Sequence, residues 1–190
     1  MSKNPLASHP DACPSWLAWT LDNPLRRWLH NPQQIFVGLV QPGQTVLDLG
    51  CGPGYFSLPL ARMVGENGRV AAVDLQPEML DFVRRRAERQ GLLPRMLLHQ
   101  AKAGKIDLDL QVDFTLAFWM VHEVPDQPAL FAQVYRLVRP GGRFLMVEPA
   151  LHVVSRSYQK SVDLALAAGF VAVSGPRIRI SQATLFQKQV

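Results

Sequence analysis

The stretch Thr45–Ser57, TVLDLGCGPGYFS, decides the fold. Its first residues are mostly aliphatic and predict a buried parallel strand, and glycine then occupies every second position at Gly50, Gly52 and Gly54. Glycine allows a backbone to turn sharply and to approach a ligand closely. The stretch therefore predicts a strand, a tight turn and the start of a helix, with a ligand at the carboxyl end of the strand.

The glycine spacing and one acid narrow the class of ligand. A dinucleotide fingerprint G-x-G-x-x-G that starts at Gly50 needs a third glycine where Tyr55 stands, and no Gly-Lys-Ser/Thr follows to form a phosphate-binding loop. Asp48 precedes the turn, where a carboxylate repels a pyrophosphate but attracts a ligand that carries ammonium and sulfonium groups. The pattern therefore favours S-adenosylmethionine over NAD.

Two sequence motifs resemble those of a known family. VLDLGCGPGYFS, followed by VAAVDLQPEML with Asp74, resembles the first two motifs of the class I S-adenosylmethionine-dependent methyltransferases. WMVHEVPD and LVRPGGRFLMVEP resemble the small-molecule branch, which includes methyltransferase type 11 proteins and the ubiquinone/menaquinone C-methyltransferases. The resemblance covers Thr45 to Pro149. It implies an α/β fold: a doubly wound, Rossmann-like, seven-stranded and mostly parallel sheet, with an antiparallel last strand and an N-terminal helical arm.

The same resemblance implies where the cofactor binds. Asp74, at the end of the second predicted strand, is expected to accept both ribose hydroxyls. Related enzymes place an acid after the third strand to bind the adenine amino group, but here the region reads Gln100-Ala101-Lys102, so adenine is expected to contact backbone groups and Leu75. The predicted cofactor-binding residues are Asp48, Gly50, Cys51, Gly52, Gly54, Tyr55, Phe56, Asp74, Leu75, Gln76, Ala101, Lys102, Phe118 and Trp119.

Methyl transfer from a sulfonium is an in-line displacement, so the protein mainly has to hold donor and acceptor in position. A general base is needed only when the acceptor must lose a proton. His122 and Glu123, which follow the fourth predicted strand, are the candidate catalytic residues, although His122 also suits a packing or hydrogen-bonding role at a helix start. Glu148 and His152 are further candidates, and a structural acceptor at a strand end is the alternative for Glu148.

The chain before the first predicted strand is rich in tryptophan. We expect a single domain over residues 1–190, with a helical arm at 1–40 and the core at 45–190. The tryptophans of the arm either dock it on the sheet or belong to a lid over cofactor and substrate, since amphipathic rings suit a pocket with a wet edge. The predicted substrate or lid residues are Trp16, Trp19, Trp28, His30 and Glu148.

Composition limits the class of protein. The chain has 190 residues, of which 48% are hydrophobic and 18% charged, and its apolar runs fall short of the roughly 18 residues that a membrane span needs. The chain has two cysteines, which suits a reducing cytoplasm. Prolines and Asp11 stand where a signal peptide needs an apolar core, so export is not predicted. The histidines and cysteines lack close ligand spacing, so no metal is predicted.

The net charge of +5 permits RNA as a partner, but no RNA-binding module is visible. Arg84, Arg85, Arg86 and Arg89 alternate with acids and indicate a solvated helix face. The resembling enzymes that methylate arsenite rely on several substrate-binding cysteines, whereas this chain has two. The sequence after the fourth predicted strand also lacks the Asn/Asp-Pro-Pro-Tyr element of the amino-methylating enzymes. We therefore expect a small-molecule acceptor, with an RNA methyltransferase or a non-catalytic S-adenosylmethionine-binding protein as the alternatives.

Overall fold

A computed structural model of the chain describes residues 28–190. Its strands are β1 (Thr45–Leu49), β2 (Arg69–Asp74), β3 (Met96–Gln100), β4 (Val112–Phe118), β5 (Val138–Pro149), β6 (Phe170–Val173) and β7 (Ser181–Lys188). They form one sheet in the order β3-β2-β1-β4-β5-β7-β6. β7 runs antiparallel to β5 and β6, whereas the other neighbouring strands are parallel.

The α-helices are α1 (Pro32–Phe36), α2 (Ser57–Met63), α3 (Pro77–Arg89), α4 (Gln127–Leu137) and α5 (Ser155–Ala167), and short 3₁₀ turns cover Leu93–Arg95 and Val121–Glu123. The helix starts follow from local chemistry. Side-chain oxygens of Asn31 and Asp126 cap α1 and α4 by accepting backbone N–H groups, and Pro77 occupies the first turn of α3.

The helices cover both faces of the sheet because side chains alternate along each strand. Val46 of β1 and Phe114 of β4 pack in one apolar cluster with α1 and α2, while Leu47 packs on the other face with Phe131 of α4. This doubly wound arrangement places β1 at the centre, between β2 and β4. The carboxyl ends of these parallel strands therefore share one edge of the sheet, where α/β proteins bind ligands.

The expected α/β fold is confirmed, with the seven-stranded order and the antiparallel last strand. The sequence pattern predicts a turn at Pro140–Gly142 and a last strand over Thr184–Lys188, and the structure differs at both places. Pro140–Gly142 lies inside β5, because Val112 already pairs with Val138 before the register shifts. β7 begins at Ser181, three residues before Thr184, because its polar start pairs with the end of β5.

Part of the predicted N-terminal arm lies outside the described residues, including Trp16 and Trp19. Of the remainder, residues 28 and 29 are helical and α1 follows. Within residues 28–190, no helix is both long enough and apolar enough to cross a lipid bilayer.

Candidate active site

The turn that follows β1, Gly50–Gly54, is named here the glycine turn. The backbone N–H groups of Gly50 and Cys51 both donate to the carbonyl of Val73 in β2, at 2.9 and 3.0 Å. Gly50 has a φ of +70°, and a Cβ at this position would lie 2.8 Å from Cγ of Met120. Both the backbone conformation and the close approach of Met120 therefore require glycine at this position.

Asp74, the last residue of β2, holds the glycine turn in place. Its Oδ2 accepts the N–H of Gly52 at 2.8 Å, and its Oδ1 accepts the N–H of Gln76 at 3.0 Å. Burial raises the pKa of Asp74 above its ordinary value of 3.8, and the backbone hydrogen bonds oppose that rise. An ionised carboxylate has about four lone-pair sites, so Asp74 retains capacity to accept bonds from a ligand.

Asp48 of β1 is buried, with 2% of its surface exposed, and it accepts a hydrogen bond from the hydroxyl of Ser57 at the start of α2. Cys51 lies beside it in the glycine turn. Burial, and then the nearby carboxylates of Asp48 and Asp74, raise the pKa of the Cys51 thiol well above its ordinary value. The thiol is therefore kept protonated and is a poor nucleophile at neutral pH.

These residues border a cavity of about 520 Å³ at the carboxyl ends of β1, β2, β4 and β5, named here the cleft. Gly54 does not line it; a Cβ there would instead lie 3.0 Å from the side chain of Val83 in α3. The other predicted cofactor-binding residues all line the cleft: Asp48, Gly50, Cys51, Gly52, Tyr55, Phe56, Asp74, Leu75, Gln76, Ala101, Lys102, Phe118 and Trp119. Their roles in binding stay predictions.

Four rings, of Tyr55, Phe56, Phe118 and Trp119, form one side of the cleft and are named here the aromatic wall. The ring centroids of Phe56 and Phe118 are 4.4 Å apart, and those of Phe118 and Trp119 are 5.5 Å apart. Trp119 has a φ of +60°, which is a strained conformation for a residue with a side chain. Its backbone N–H donates to the carbonyl of Val147 in β5 at 2.7 Å and its indole N–H donates to the hydroxyl of Ser181 in β7 at 3.1 Å, so two strands hold it.

The predicted lid residues that are described lie behind or outside the cleft. His30 is 1% exposed, and its ring packs edge-on against Phe118 and Trp119 at centroid distances of 5.1 and 4.9 Å. The hydroxyl of Tyr55 donates to the carbonyl of His30 at 3.0 Å. His30 therefore supports the aromatic wall from behind. Trp28 is 65% exposed, and its ring lies 4.4 Å from the guanidinium carbon of Arg179.

His122 and Glu123, the candidate catalytic residues, lie in the 3₁₀ turn after β4, and both line the cleft. Nδ1 of His122 is hydrogen-bonded to Oε2 of Glu148, whose side chain is 1% exposed. Oε1 of Glu148 accepts the N–H of Val121 at 3.0 Å. Glu148 raises the pKa of His122 above 6.5 through this hydrogen bond, against the opposing effect of burial. Glu148 itself does not line the cleft.

Sequence reasoning missed the residues that close the cleft on the side of the β3–β4 loop. Gln133 of α4 lines the cleft; its amide donates to the carbonyl of Gly104 at 2.9 Å, and its oxygen accepts the N–H of Ile106 at 2.9 Å. No local spacing in the sequence signals this contact, because α4 meets the loop only in the folded chain. Within residues 28–190, no group of three or more His, Cys, Asp or Glu side chains could hold a metal ion.

Comparison with known proteins shows the family to which this chain belongs. The family model described as a methyltransferase domain matches residues 46–142, which is half of the chain. The matched segment contains the glycine turn, Asp74, the aromatic wall and His122. The chain therefore belongs to the methyltransferase domain family.

Two curated relatives match part of the chain. The chain is 32% identical over 123 residues to the ubiquinone/menaquinone biosynthesis C-methyltransferase UbiE of Enterobacter sp. (strain 638), which covers 63% of this chain and 49% of that protein. It is 39% identical over 114 residues to the malonyl-[acyl-carrier protein] O-methyltransferase of Serratia marcescens, which covers 57% of this chain and 40% of that protein. The chain thus matches less than half the length of these relatives.

A solved structure shares the fold over nearly the whole chain. A SAM-dependent methyltransferase from Aquifex aeolicus superimposes with a TM-score of 0.81 at 22% identity, over 93% of this chain and 98% of that chain. At this identity, the likeness concerns the fold alone.

Proposed function

We propose that the protein is an S-adenosylmethionine-dependent methyltransferase that acts on a small-molecule acceptor. The observation that carries this proposal is the pair of carboxylates, Asp48 and Asp74, that line the cleft beside the glycine turn. Asp48 disfavours a pyrophosphate and favours a ligand with a positively charged sulfur and amino group, while Asp74 suits a ribose. Membership of the methyltransferase domain family supports the same reading.

The described residues fit this cofactor. Asp74 would accept the ribose hydroxyls, as acids at the end of the second strand do in nucleotide-binding folds. Leu75 lines the cleft beside it and leaves 44% of its surface exposed, which provides an apolar contact for adenine together with Met79 and Ile106. Asp48 and the glycine turn would contact the amino-acid part. When bound, S-adenosylmethionine supplies an activated methyl group.

The protein itself positions the acceptor and excludes water from the cleft. The rings of the aromatic wall are fixed by mutual packing and by the hydrogen bonds of Trp119, so they present a rigid apolar surface to an acceptor. Such pre-organisation lowers the barrier of an in-line transfer, because the reacting groups are already close and aligned. A concave cleft of about 520 Å³ suits a small molecule. The names of the two curated relatives, a C-methyltransferase and an O-methyltransferase, support this acceptor class.

We also propose that the part of the arm before residue 28 covers the cleft, as part of the single domain expected from the sequence. The supporting observation is the position of His30, which packs directly behind Trp119 of the aromatic wall. The chain that precedes His30 therefore starts beside the aromatic wall. Trp16 and Trp19 would then contact the acceptor, whereas Trp28 rests on Arg179.

Calorimetry with S-adenosylmethionine, S-adenosylhomocysteine and NAD tests the cofactor. We expect heat of binding with both adenosyl ligands and none with NAD. Methyl transfer from labelled S-adenosylmethionine to metabolite extracts and, separately, to RNA then tests the acceptor class. Label in the small-molecule fraction supports the proposal. Label in RNA alone would point to an RNA methyltransferase, and binding without any transfer would point to a non-catalytic protein.

A further inference from the structure

A histidine and a buried carboxylate form a fixed pair beside the cleft. His122 lines the cleft with 19% of its side chain exposed, and its Nδ1 is hydrogen-bonded to Glu148. Both oxygens of Glu148 are used, because the N–H of Val121 binds the second one at 3.0 Å. The carboxylate is therefore held in one orientation, and it orients the imidazole ring in turn.

Further hydrogen bonds hold the 3₁₀ turn that carries His122. The amide of Gln127 donates to the carbonyl of Val121 at 3.1 Å, and the hydroxyl of Ser161 in α5 donates to Gln127 at 2.8 Å. Nε2 of His122 has no hydrogen-bond partner in the part of the chain that the structure describes. With Nδ1 occupied by Glu148, Nε2 is the nitrogen that remains to accept a proton.

The other titratable groups around the pair come from three places. Glu123 neighbours His122 in the same 3₁₀ turn, and the ring of His152, after β5, lies edge-on at a centroid distance of 5.2 Å. Tyr158 of α5 faces Glu148 and is hydrogen-bonded to Thr184 at 2.6 Å. The acidic groups favour a positive charge on His122, and none of these groups replaces Glu148 at Nδ1.

We propose that His122 removes the proton from an aromatic hydroxyl group of the acceptor, and that Glu148 positions the ring of His122 for this step. The inference rests on the proposed function. In this step, the hydroxyl proton moves to Nε2 of His122, and the oxygen uses an electron pair for the new bond to the methyl carbon. The bond from that carbon to sulfur breaks, and its electron pair stays on sulfur. His122 then returns the proton to solvent.

The surroundings of His122 favour this acceptor over one with a carboxylate. A carboxylic acid is already ionised at neutral pH and needs no base, and the carboxylates of Glu123 and Glu148 near His122 would repel it. A phenolic hydroxyl has a pKa near 10 and needs a base at neutral pH. The aromatic wall lines the same cleft and offers rings on which a planar aromatic acceptor packs.

The test uses the full chain, S-adenosylmethionine, and two probe acceptors, phenol and 4-nitrophenol. The hydroxyl of 4-nitrophenol is largely ionised at pH 8 without help, whereas that of phenol is not. Three variants are compared with the wild type: His122→Gln, Glu148→Gln and, as a matched control, His99→Gln. His99 lies in β3, does not line the cleft, and its ring is hydrogen-bonded to the carbonyl of Ile106 at 2.7 Å.

We expect His122→Gln to lose about 100-fold in kcat/KM with phenol, and to stay within about tenfold of the wild type with 4-nitrophenol. For Glu148→Gln, the rise of kcat/KM with pH should begin at a lower pH than in the wild type, because Glu148 no longer raises the pKa of His122. If Glu148 had only a structural role, Glu148→Gln would lower kcat/KM without changing the pH at which its rise begins. His99→Gln should follow the wild-type profile.

Histidine NMR supplies a readout that does not depend on turnover. In the wild-type complex with S-adenosylhomocysteine, phenol should shift the His122 resonance and leave that of His99 in place. Equal losses on both acceptors in His122→Gln, or a wild type that binds S-adenosylmethionine but neither methylates the phenols nor shows this shift, would overturn the proposal. Failure of the wild type to bind S-adenosylmethionine would instead refute the proposed function.

Discussion

The backbone N–H of Gly52 donates to Oδ2 of Asp74 over 2.8 Å, so the turn after β1 and the acid that ends β2 form one structural unit. The second carboxylate oxygen fixes Gln76, at the entrance to α3, in the same way. Asp74 therefore has two tasks under the proposed function. It keeps the glycine turn in shape and it accepts the ribose hydroxyls, and a substitution acts on both.

Asp74→Ala should weaken both stability and cofactor binding. Asp74→Ala removes the hydrogen bonds that the carboxylate accepts, and it also removes the unfavourable burial of that charge. The net loss of unfolding free energy should be about 1–3 kcal/mol. The loss of the ribose contacts should lower the affinity for S-adenosylhomocysteine at least tenfold, which is about 1.4 kcal/mol. Urea unfolding and calorimetry measure the two effects.

Asp113→Ala is the matched control for Asp74→Ala. Asp113 also accepts a backbone N–H, from Thr45 at 2.7 Å, and it pairs with Arg139, but it lies at the amino end of β4, away from the cleft. The Asp113→Ala variant should be less stable than the wild type but should keep the wild-type affinity for S-adenosylhomocysteine. If Asp74→Ala keeps full affinity while folded, another residue holds the ribose.

Gly50→Ala and Gly52→Ala should separate folding from binding. Gly50→Ala places a Cβ 2.8 Å from Met120, so it should destabilise the protein by about 2–4 kcal/mol and reduce soluble yield. Gly52→Ala meets no atom within 4 Å and carries only the strain of a φ of +51°, about 1 kcal/mol. Because Gly52 lines the cleft, its variant should melt near the wild type but bind the cofactor less tightly. Equal melting temperatures for the two variants would contradict this reading.

The stability contributed by the His122–Glu148 pair should depend on pH. The pKa of His122 in the folded protein is raised above 6.5, so the folded state binds the proton more tightly than the unfolded chain. The contribution is therefore fully present below about pH 6.5 and is lost as the pH rises through the folded-state pKa. The difference in melting temperature between the wild type and His122→Gln should be larger at pH 6 than at pH 9. A difference that grows with pH would show that the pair does not stabilise the charged histidine.

The thiol of Cys51 should react slowly in the folded protein. Burial and the neighbouring carboxylates raise its pKa, so little thiolate exists at pH 8. In a Cys13→Ser background, where Cys51 is the remaining cysteine, labelling with an aromatic disulfide reagent should be slow in buffer and fast in urea. Rapid labelling of the folded protein would indicate that the glycine turn opens readily.

Removal of residues 1–27 should leave the cofactor site intact. His30 keeps its contacts with Arg179 and with Tyr55, so the aromatic wall retains its support. Affinity for S-adenosylhomocysteine should stay within about tenfold, whereas transfer to the acceptor should collapse if the arm is a lid that excludes water. Trp28→Ala in the full chain is the control and should change little, because its contact with Arg179 is at the surface. Full activity without the arm would refute the lid.

The glycine turn and the order of elements were predictable from the sequence because they depend on local signals. Aliphatic runs mark the strands, and glycine or proline marks most of their ends. The early start of β7 was not predictable, since residues such as Gln182 have no strand pattern of their own and pair because Glu148 is their neighbour. Register between distant strands is a property of the folded sheet.

The contacts of the candidate site were harder to predict than its residues. His122 and Glu148 were named separately, but 26 positions separate them and only the packing of β4 beside β5 joins them. Arg86 belongs to a run that indicated a solvated helix face, yet its guanidinium donates to the carbonyl of Pro53 in the glycine turn at 2.9 Å. The helical pattern gave no sign of which arginine turns inward.

The cleft is lined by three runs of chain, and the central strand β1 separates their tasks. Residues 48–79 supply the glycine turn and Asp74, residues 101–106 follow β3 beside Asp74, and residues 118–149 supply Trp119 and His122; the first and last runs meet where β1 pairs with β4. Under the proposed function the first two runs recognise the donor and the last faces the acceptor. Exchanging the segment 119–126 for that of another family member is therefore a graft that redirects the choice of acceptor while the hydrogen bonds around Asp74 stay as they are. One scaffold hosts many chemistries by such exchanges.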